Sequence, residues 1–261
     1  AGHHSGPGRA GGIVVGAGGR GRAPPPPRRG GPAHLRRVRF AGRTPSTLAP
    51  DSLALSLSLA ARVIALVHTG QSLTQALTIL GETAPAARAA AQDVAYGSLR
   101  WYGCGEFILR RLLARSLPHP QAQALLLGAL YRLQTRPESG YMVVDQAVAA
   151  AGELAGGAFK GLVNGVLRNY LRQREALHAA MLAEDEAAQQ HPGWWLARLR
   201  RSYPDHWQNI VTVGNSQPPM TLRVNRRRAT LSDYSTRLQE AGLSARPLGG
   251  DALILDKPVP V

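Results

Sequence analysis

The stretch Phe159-Lys160-Gly161-Leu162-Val163-Asn164-Gly165-Val166-Leu167-Arg168-Asn169-Tyr170-Leu171-Arg172-Gln173 decides how this chain is read. Phe159, Leu162, Val163, Val166, Leu167, Tyr170 and Leu171 recur at three- and four-residue spacing, the period of one helix face. Lys160, Arg168 and Arg172 fall at i, i+8 and i+12, roughly one side of the same helix. Such a basic stripe either follows phosphates or is an ordinary solvated face.

Upstream, the same period repeats. Leu59, Val63, Leu66 and Val67 form one apolar face, ended by Gly70. Ser72 is placed to cap a short helix bearing Leu73, Ala76, Leu77 and Leu80. An alanine-rich helix is predicted from Pro85 to Trp101, interrupted by Gly103 and Gly105. Ile108, Leu109, Leu112 and Leu113 make the next stripe, stopped by Pro118 and Pro120. Leu126, Leu127, Leu130 and Leu133 make another, stopped before Pro137. Val143, Val144, Ala147, Val148 and Ala151 make the sixth. Seven amphipathic helices over residues 51–177 predict an all-α bundle. Ala89 to Ala91, Gly128, Gly161 and Gly165 predict close helix contacts.

The first 50 residues differ. They hold 12 glycines, 8 prolines and nine arginines with no acid, which is +9 of the chain's +15. This composition predicts a disordered tail. Its Arg-Gly repeats suit nonspecific RNA contact, or they are a compositional bias or a mis-assigned start, since 29 of the 31 basic residues in the chain are arginine. The remaining residues are only mildly basic. A hydrophobic fraction of 44% supports a folded core. No apolar run approaches the roughly 18 residues of a membrane span, which argues against a membrane partner. The single cysteine excludes an intrachain disulfide and a multi-cysteine zinc site, and it fits the reducing cytoplasm.

Downstream, residues 178–190 are polar and charged, a linker or a helix extension. Trp195, Leu196 and Leu199 have helical spacing, and Pro218-Pro219 marks a break. Thr221 to Asn225 alternates like a half-buried strand. Ser232 to Ala241 reads as a helix capped by Gly242, and Ala252 to Leu255 as a second strand. The pattern over residues 191–261 is a small α/β subdomain that reads as truncated after Val261.

Three segments carry a resemblance. "QDVAYGSLRWYGCGEFIL" (92–109), "LLLGALYRLQTRPESGYMVVDQAVAAA" (125–151) and "FKGLVNGVLRNYLRQ" (159–173) resemble the NusB-type RNA-binding domain. That domain occurs as a transcription antitermination factor and as an N-terminal extension of the bacterial small-subunit ribosomal RNA cytosine-C5 methyltransferases of the Sun/Fmu family. "HPGWWL" (191–196), "YPDHW" (203–207) and "PPMTLRVN" (218–225), in that order, resemble the pre-catalytic segment of the methyltransferases. The resemblance covers about residues 57–261. It implies small-subunit ribosomal RNA as partner and S-adenosylmethionine as the family's cofactor. It also implies a mainly α fold: a NusB-like bundle at 51–177, a linker, and a pre-catalytic α/β subdomain at 191–261. The alternative is a standalone NusB-like antitermination module, which needs neither "HPGWW" nor "PPMTLRVN".

Members of the resembled family use a catalytic cysteine, a second cysteine after proline, and a glycine-rich cofactor turn. This chain has only Cys104, read as structural, and no glycine fingerprint following a strand. No catalytic, cofactor-binding or metal-ligating residue is therefore assigned, and the chain alone is expected to be an inactive monomer. His3 and His4 either bind a metal or, the favoured reading, are an incidental pair in a glycine tail, while His191 and His206 lack partners at ligand spacing. Glu184-Asp185-Glu186 reads as a solvated face. Candidate RNA contacts are Lys160, Arg168 and Arg172, together with Arg223, Arg226, Arg227 and Arg228. The latter four repel one another without an anion, and no acid lies between Asp205 and Asp233 to neutralise them. Asn225 is expected to fix the adjoining turn. Trp194, Trp195 and Trp207 either stack bases or, the favoured reading, form the core of the second part.

Overall fold

A computed structural model describes residues 46–216 and 218–259. The expected tail lies outside the described residues except for residues 46–50. There the Thr47 amide donates to Glu153 Oε1 at 3.0 Å, and the Ser46 hydroxyl donates to the same carboxylate oxygen. Ser58 donates to Glu153 Oε2 at 3.1 Å, so one carboxylate ties the start of the described chain to the helical domain.

The helical domain is mainly α, as its periodicity predicts. Its helices are α1 (Leu53–His68), α2 (Leu73–Leu77), α3 (Pro85–Arg100), α4 (Tyr102–Leu112), α5 (Pro120–Thr135), α6 (Gly140–Ala151) and α7 (Lys160–Leu182). Helix α1 starts where the Ser52 hydroxyl accepts from the Leu55 amide, and the chain leaves it through Gly70 at φ 99°. A hydroxyl cap of this kind contributes about 1 kcal/mol. Helix α1 packs on α3, α5 and α6, and Leu57, Ala60, Val63, Ile64 and Ala65 are buried. Proline sets the first turn of α3 and of α5, where its missing N–H costs nothing.

Two local expectations change. The break between α3 and α4 falls at Trp101, while Gly103 and Gly105 lie inside α4. Gly105 serves packing there: a methyl group on it would sit 2.8 Å from Leu127 Cδ2. Gly128 does make a close approach, 3.1 Å from Val94 Cγ1 to where its Cβ would be. Gly161 and Gly165 do not, because a Cβ on either meets nothing within 4 Å. Of the two readings given for residues 178–190, linker or helix extension, the helical one holds for most of them: α7 runs on to Leu182 and α8 (Asp185–Gln189) follows.

The acidic run at the start of α8 is more than a solvated face. Glu184 pairs with Arg110 of α4 at 2.8 Å. Asp185 takes both ends of the Arg200 guanidinium at 2.6 and 2.7 Å, and Glu186 Oε1 accepts from the Gly193 amide at 2.7 Å. These bonds fasten α8 to α4 and to α9 (Gly193–Ser202), which leads to α10 (Trp207–Asn215).

Beyond the Pro218-Pro219 break come β1 (Thr221–Arg223), α11 (Leu231–Glu240), β2 (Ala245–Gly249) and β3 (Ala252–Leu255). The sheet order is β1-β3-β2, with β3 antiparallel to both neighbours. Strands β1 and β2 are thus parallel, joined by α11 and split by β3, a split β-α-β unit. Register pairs Leu222 with Leu253 and Ala245 with Leu255. Val224, Leu238, Leu253 and Leu255 are its buried core. Helix α11 opens with a reciprocal cap in which Thr230 and Asp233 each accept the other's amide.

Candidate nucleic-acid interface

Helix α6 packs against α7, and a groove of about 850 Å³ opens along their seam. Lys160, Arg168 and Arg172 all line it, so the sequence stripe becomes one wall of a concave surface. Among the described residues, none of these three cations makes an ion pair. Arg172 donates only to Asn169 Oδ1, at 3.3 Å. The stem of Lys160 lies over Gly152 just past the end of α6, where a methyl group would come within 2.9 Å of its Cε. Gly161 also lines the groove, and its missing side chain keeps that wall open.

The opposite wall was not anticipated. Tyr141 and Asp145 lie one turn apart on α6 and line the groove with Val144 and Val148, facing Asn164 on α7. Tyr141 is 81% exposed. Asp145 Oδ2 accepts from its neighbour Gln146 at 3.1 Å. The i, i+4 spacing of Tyr141 and Asp145 is visible in the sequence; what it faces is settled only by packing α6 on α7.

The second arginine group lies elsewhere. Arg223 ends β1, and Arg226, Arg227 and Arg228 form the exposed turn before α11. Asn225 fixes that turn: its Oδ1 accepts from the Arg227 amide at 3.1 Å and its carbonyl from the Arg228 amide at 2.8 Å. The expectation that no acid neutralises this cluster is corrected. Asp251, remote in sequence, pairs with Arg226. The antiparallel register does this: the Val224 amide donates to the Asp251 carbonyl at 2.8 Å, which sets the carboxylate beside the turn. Arg223, Arg227 and Arg228 make no ion pair among the described residues.

The tryptophans do not form a core. Trp194 is 61% exposed. Trp195 is half-buried and stacks on His191, with ring centroids 4.2 Å apart. Trp207 is half-buried beneath the Arg200 guanidinium at 4.2 Å, so Asp185, Arg200 and Trp207 form a layered contact. The hydrogen bond from Arg200 holds the Asp185 carboxyl below its usual range.

Cys104 is buried, its Sγ donates to the Ala187 carbonyl at 3.2 Å, and burial pushes its thiol up to about 11. His191 bonds the Gln189 carbonyl through Nδ1 at 2.7 Å. Among the described residues no three His, Cys, Asp or Glu side chains come together to hold a metal, and no helix is long and apolar enough to cross a membrane. His3 and His4 lie outside the described residues.

Two family models match the chain. The NusB family model covers residues 56–172, and the model for the Methyltr_RsmF/B-like, ferredoxin-like domain covers residues 191–261. Ribosomal RNA small subunit methyltransferase B of Vibrio cholerae serotype O1 is 37% identical over 200 residues, 75% of this chain and 46% of that protein. The protein of the same name from Citrobacter koseri is 36% identical over 210 residues, 78% of this chain and 49% of that one. The chain thus spans just under half the length of these relatives. Among solved structures, that of PH0851 aligns with a TM-score of 0.55 at 12% identity, covering 83% of this chain and 51% of that one, a likeness of fold.

Proposed function

Since the chain belongs with the ribosomal RNA small subunit methyltransferase B proteins, carrying a NusB-family domain and a ferredoxin-like domain of their type, we propose that it binds small-subunit ribosomal RNA for a cytosine-C5 methyltransferase. The RNA lies along the α6–α7 groove and reaches the arginine turn before α11. The observation that carries this reading is the groove wall of Lys160, Arg168 and Arg172, three cations without a carboxylate partner among the described residues. Clustered cations on a concave surface attract a polyanion and hold it through phosphates. A standalone antitermination module accounts for residues 56–172 and leaves the ferredoxin-like part without a task. The two-domain reading gives both parts one.

The family resemblance brings S-adenosylmethionine with it, and the described residues do not fit that cofactor. A nucleotide-type cofactor site needs a glycine-rich turn between a strand and a helix. Here β1 leads to α11 through Asn225 and three arginines, and Gly249 and Gly250 join β2 to β3 as a hairpin. Cys104 is sealed inside the helical domain. No methyl-transfer step runs through these residues. Their contribution is to hold RNA, as a monomer in the cytoplasm.

The test is RNA binding as a function of salt. Replacing Lys160, Arg168 and Arg172 with serine should weaken binding to a single-stranded ribosomal RNA fragment and reduce the salt slope by about 2, at roughly 0.7 per phosphate. Circular dichroism should show the helix content intact. An unchanged slope in a folded variant would move the site to the arginine turn.

A further inference from the structure

We infer that the α6–α7 groove seats an unpaired nucleotide and reads its base, with guanine preferred, through Asp145 and Tyr141; this rests on the RNA-binding reading above. The two walls differ in chemistry. The α7 wall presents Lys160, Arg168 and Arg172, while the α6 wall presents a carboxylate and an almost fully exposed phenol ring. A surface built only to hold phosphates has no use for Asp145, which repels them. Nor does Asp145 neutralise the opposite wall, since it makes no ion pair among the described residues.

A ligand matching both walls is anionic along one edge and donates hydrogen bonds along another. A nucleotide does this when its phosphates follow α7 and its base turns toward α6. An ionised carboxylate only accepts, so it selects bases that present donors. Guanine offers two parallel donors, N1–H and the N2 amino group, which match the two carboxylate oxygens. Cytosine and adenine offer one amino group. Uracil offers a single N–H between two carbonyls, which the carboxylate repels. Tyr141, one turn from Asp145, supplies a flat face for stacking. Asn164 on the facing wall both donates and accepts. Val144 and Val148 make the floor apolar, and about 850 Å³ is ample for one base and its sugar. The edge being read is the one a duplex conceals, so the RNA is single-stranded at this position.

The experiment uses the full chain and fluorescence anisotropy with three eight-nucleotide RNAs: all uridine, the same with two central guanosines, and the latter annealed to its complement. The unaltered chain should bind the guanosine strand about five- to tenfold more tightly than oligouridine, and the duplex more weakly than the strand. Asp145→Asn should remove the preference while leaving oligouridine binding equal or tighter, since a negative charge is lost. Tyr141→Ala should weaken both single strands about tenfold. Both side chains are exposed, so both variants keep the fold. Equal binding of the two single strands, a preference that survives Asp145→Asn, or duplex binding as tight as the strand would each overturn the inference. The triple serine variant separates the two readings: if it loses RNA binding while Asp145→Asn changes nothing, the groove binds RNA without reading a base. An oligoglutamate peptide that displaces the guanosine strand from the groove at equal concentration would likewise overturn it, in favour of an acidic protein partner.

Discussion

Gly97 of α3 lies directly under the ring of Tyr131 of α5: a methyl group on Gly97 would come to within 2.0 Å of the ring's Cζ. Glycine in mid-helix is costly, and here it leaves room for the outer end of the Tyr131 side chain. Gly97→Ala should destabilise the chain by about 1–3 kcal/mol through overpacking. In a Tyr131→Ala background the same change should stabilise by about 1 kcal/mol, since only helix propensity remains. Urea unfolding of the four chains completes the double-mutant cycle. Additive effects would show that the ring does not define the contact.

The Cys104 thiol should resist alkylation. Its burial, its bond to the Ala187 carbonyl and a thiol pushed up to about 11 leave little thiolate at neutral pH. Iodoacetamide should label the native chain far more slowly than the urea-unfolded chain. Labelling at the rate of a free thiol would mean that α4 and α8 separate readily.

Acid should destabilise the helical domain before its carboxylates titrate. Burial lowers the folded-state value of His68 below its ordinary 6.5, and burial followed by the nearby Arg174 does the same for His178. Both rings are therefore neutral in the fold more readily than in the unfolded chain. Their stabilisation is complete above about pH 6.5 and declines as pH falls below it, because the unfolded state takes up protons first. The Tm should drop between about pH 7 and pH 5, and it should drop less in a His68→Gln/His178→Gln variant. A flat wild-type profile would show that partial desolvation shifts the titration of neither ring.

Releasing Arg226 should strengthen RNA binding. Asp251→Asn removes its ion-pair partner and frees one more cation in the turn. The salt slope should rise by about 0.7 on single-stranded RNA, with a stability change of at most about 1 kcal/mol for so exposed a pair. An unchanged slope would place the turn outside the RNA path.

The bundle was legible because each helix carries its own signal. Ser52 and Ser72 cap, Pro85 and Pro120 open, Gly70 closes, and the apolar period between them needs no tertiary knowledge. What failed depends on partners remote in sequence. Gly105 looked like a breaker until Leu127 was placed against it. Strand β2 was missed because Arg246 and Pro247 spoil the alternation that marks a strand, and the strand exists only by pairing with β3. Arg226 looked unneutralised because Asp251 arrives through sheet register. The groove followed the same rule: its α7 wall was visible as a stripe, while Tyr141 and Asp145 acquire meaning only once α6 packs on α7.

Helix α1 sits among α3, α5 and α6, with most of its residues buried, and this has a consequence during synthesis. Leu57, Val63 and Ile64 emerge from the translating ribosome well before α5 and α6 exist to cover them. At about 5–20 residues per second, the wait for those partners lasts several seconds, far longer than helix formation itself. For that interval α1 is an uncovered apolar helix, with aggregation or chaperone capture as its alternatives. Helix α1 is fully covered only once α6 has emerged, so its burial in the cell is timed by the arrival of α5 and α6 and not by the speed at which any helix forms.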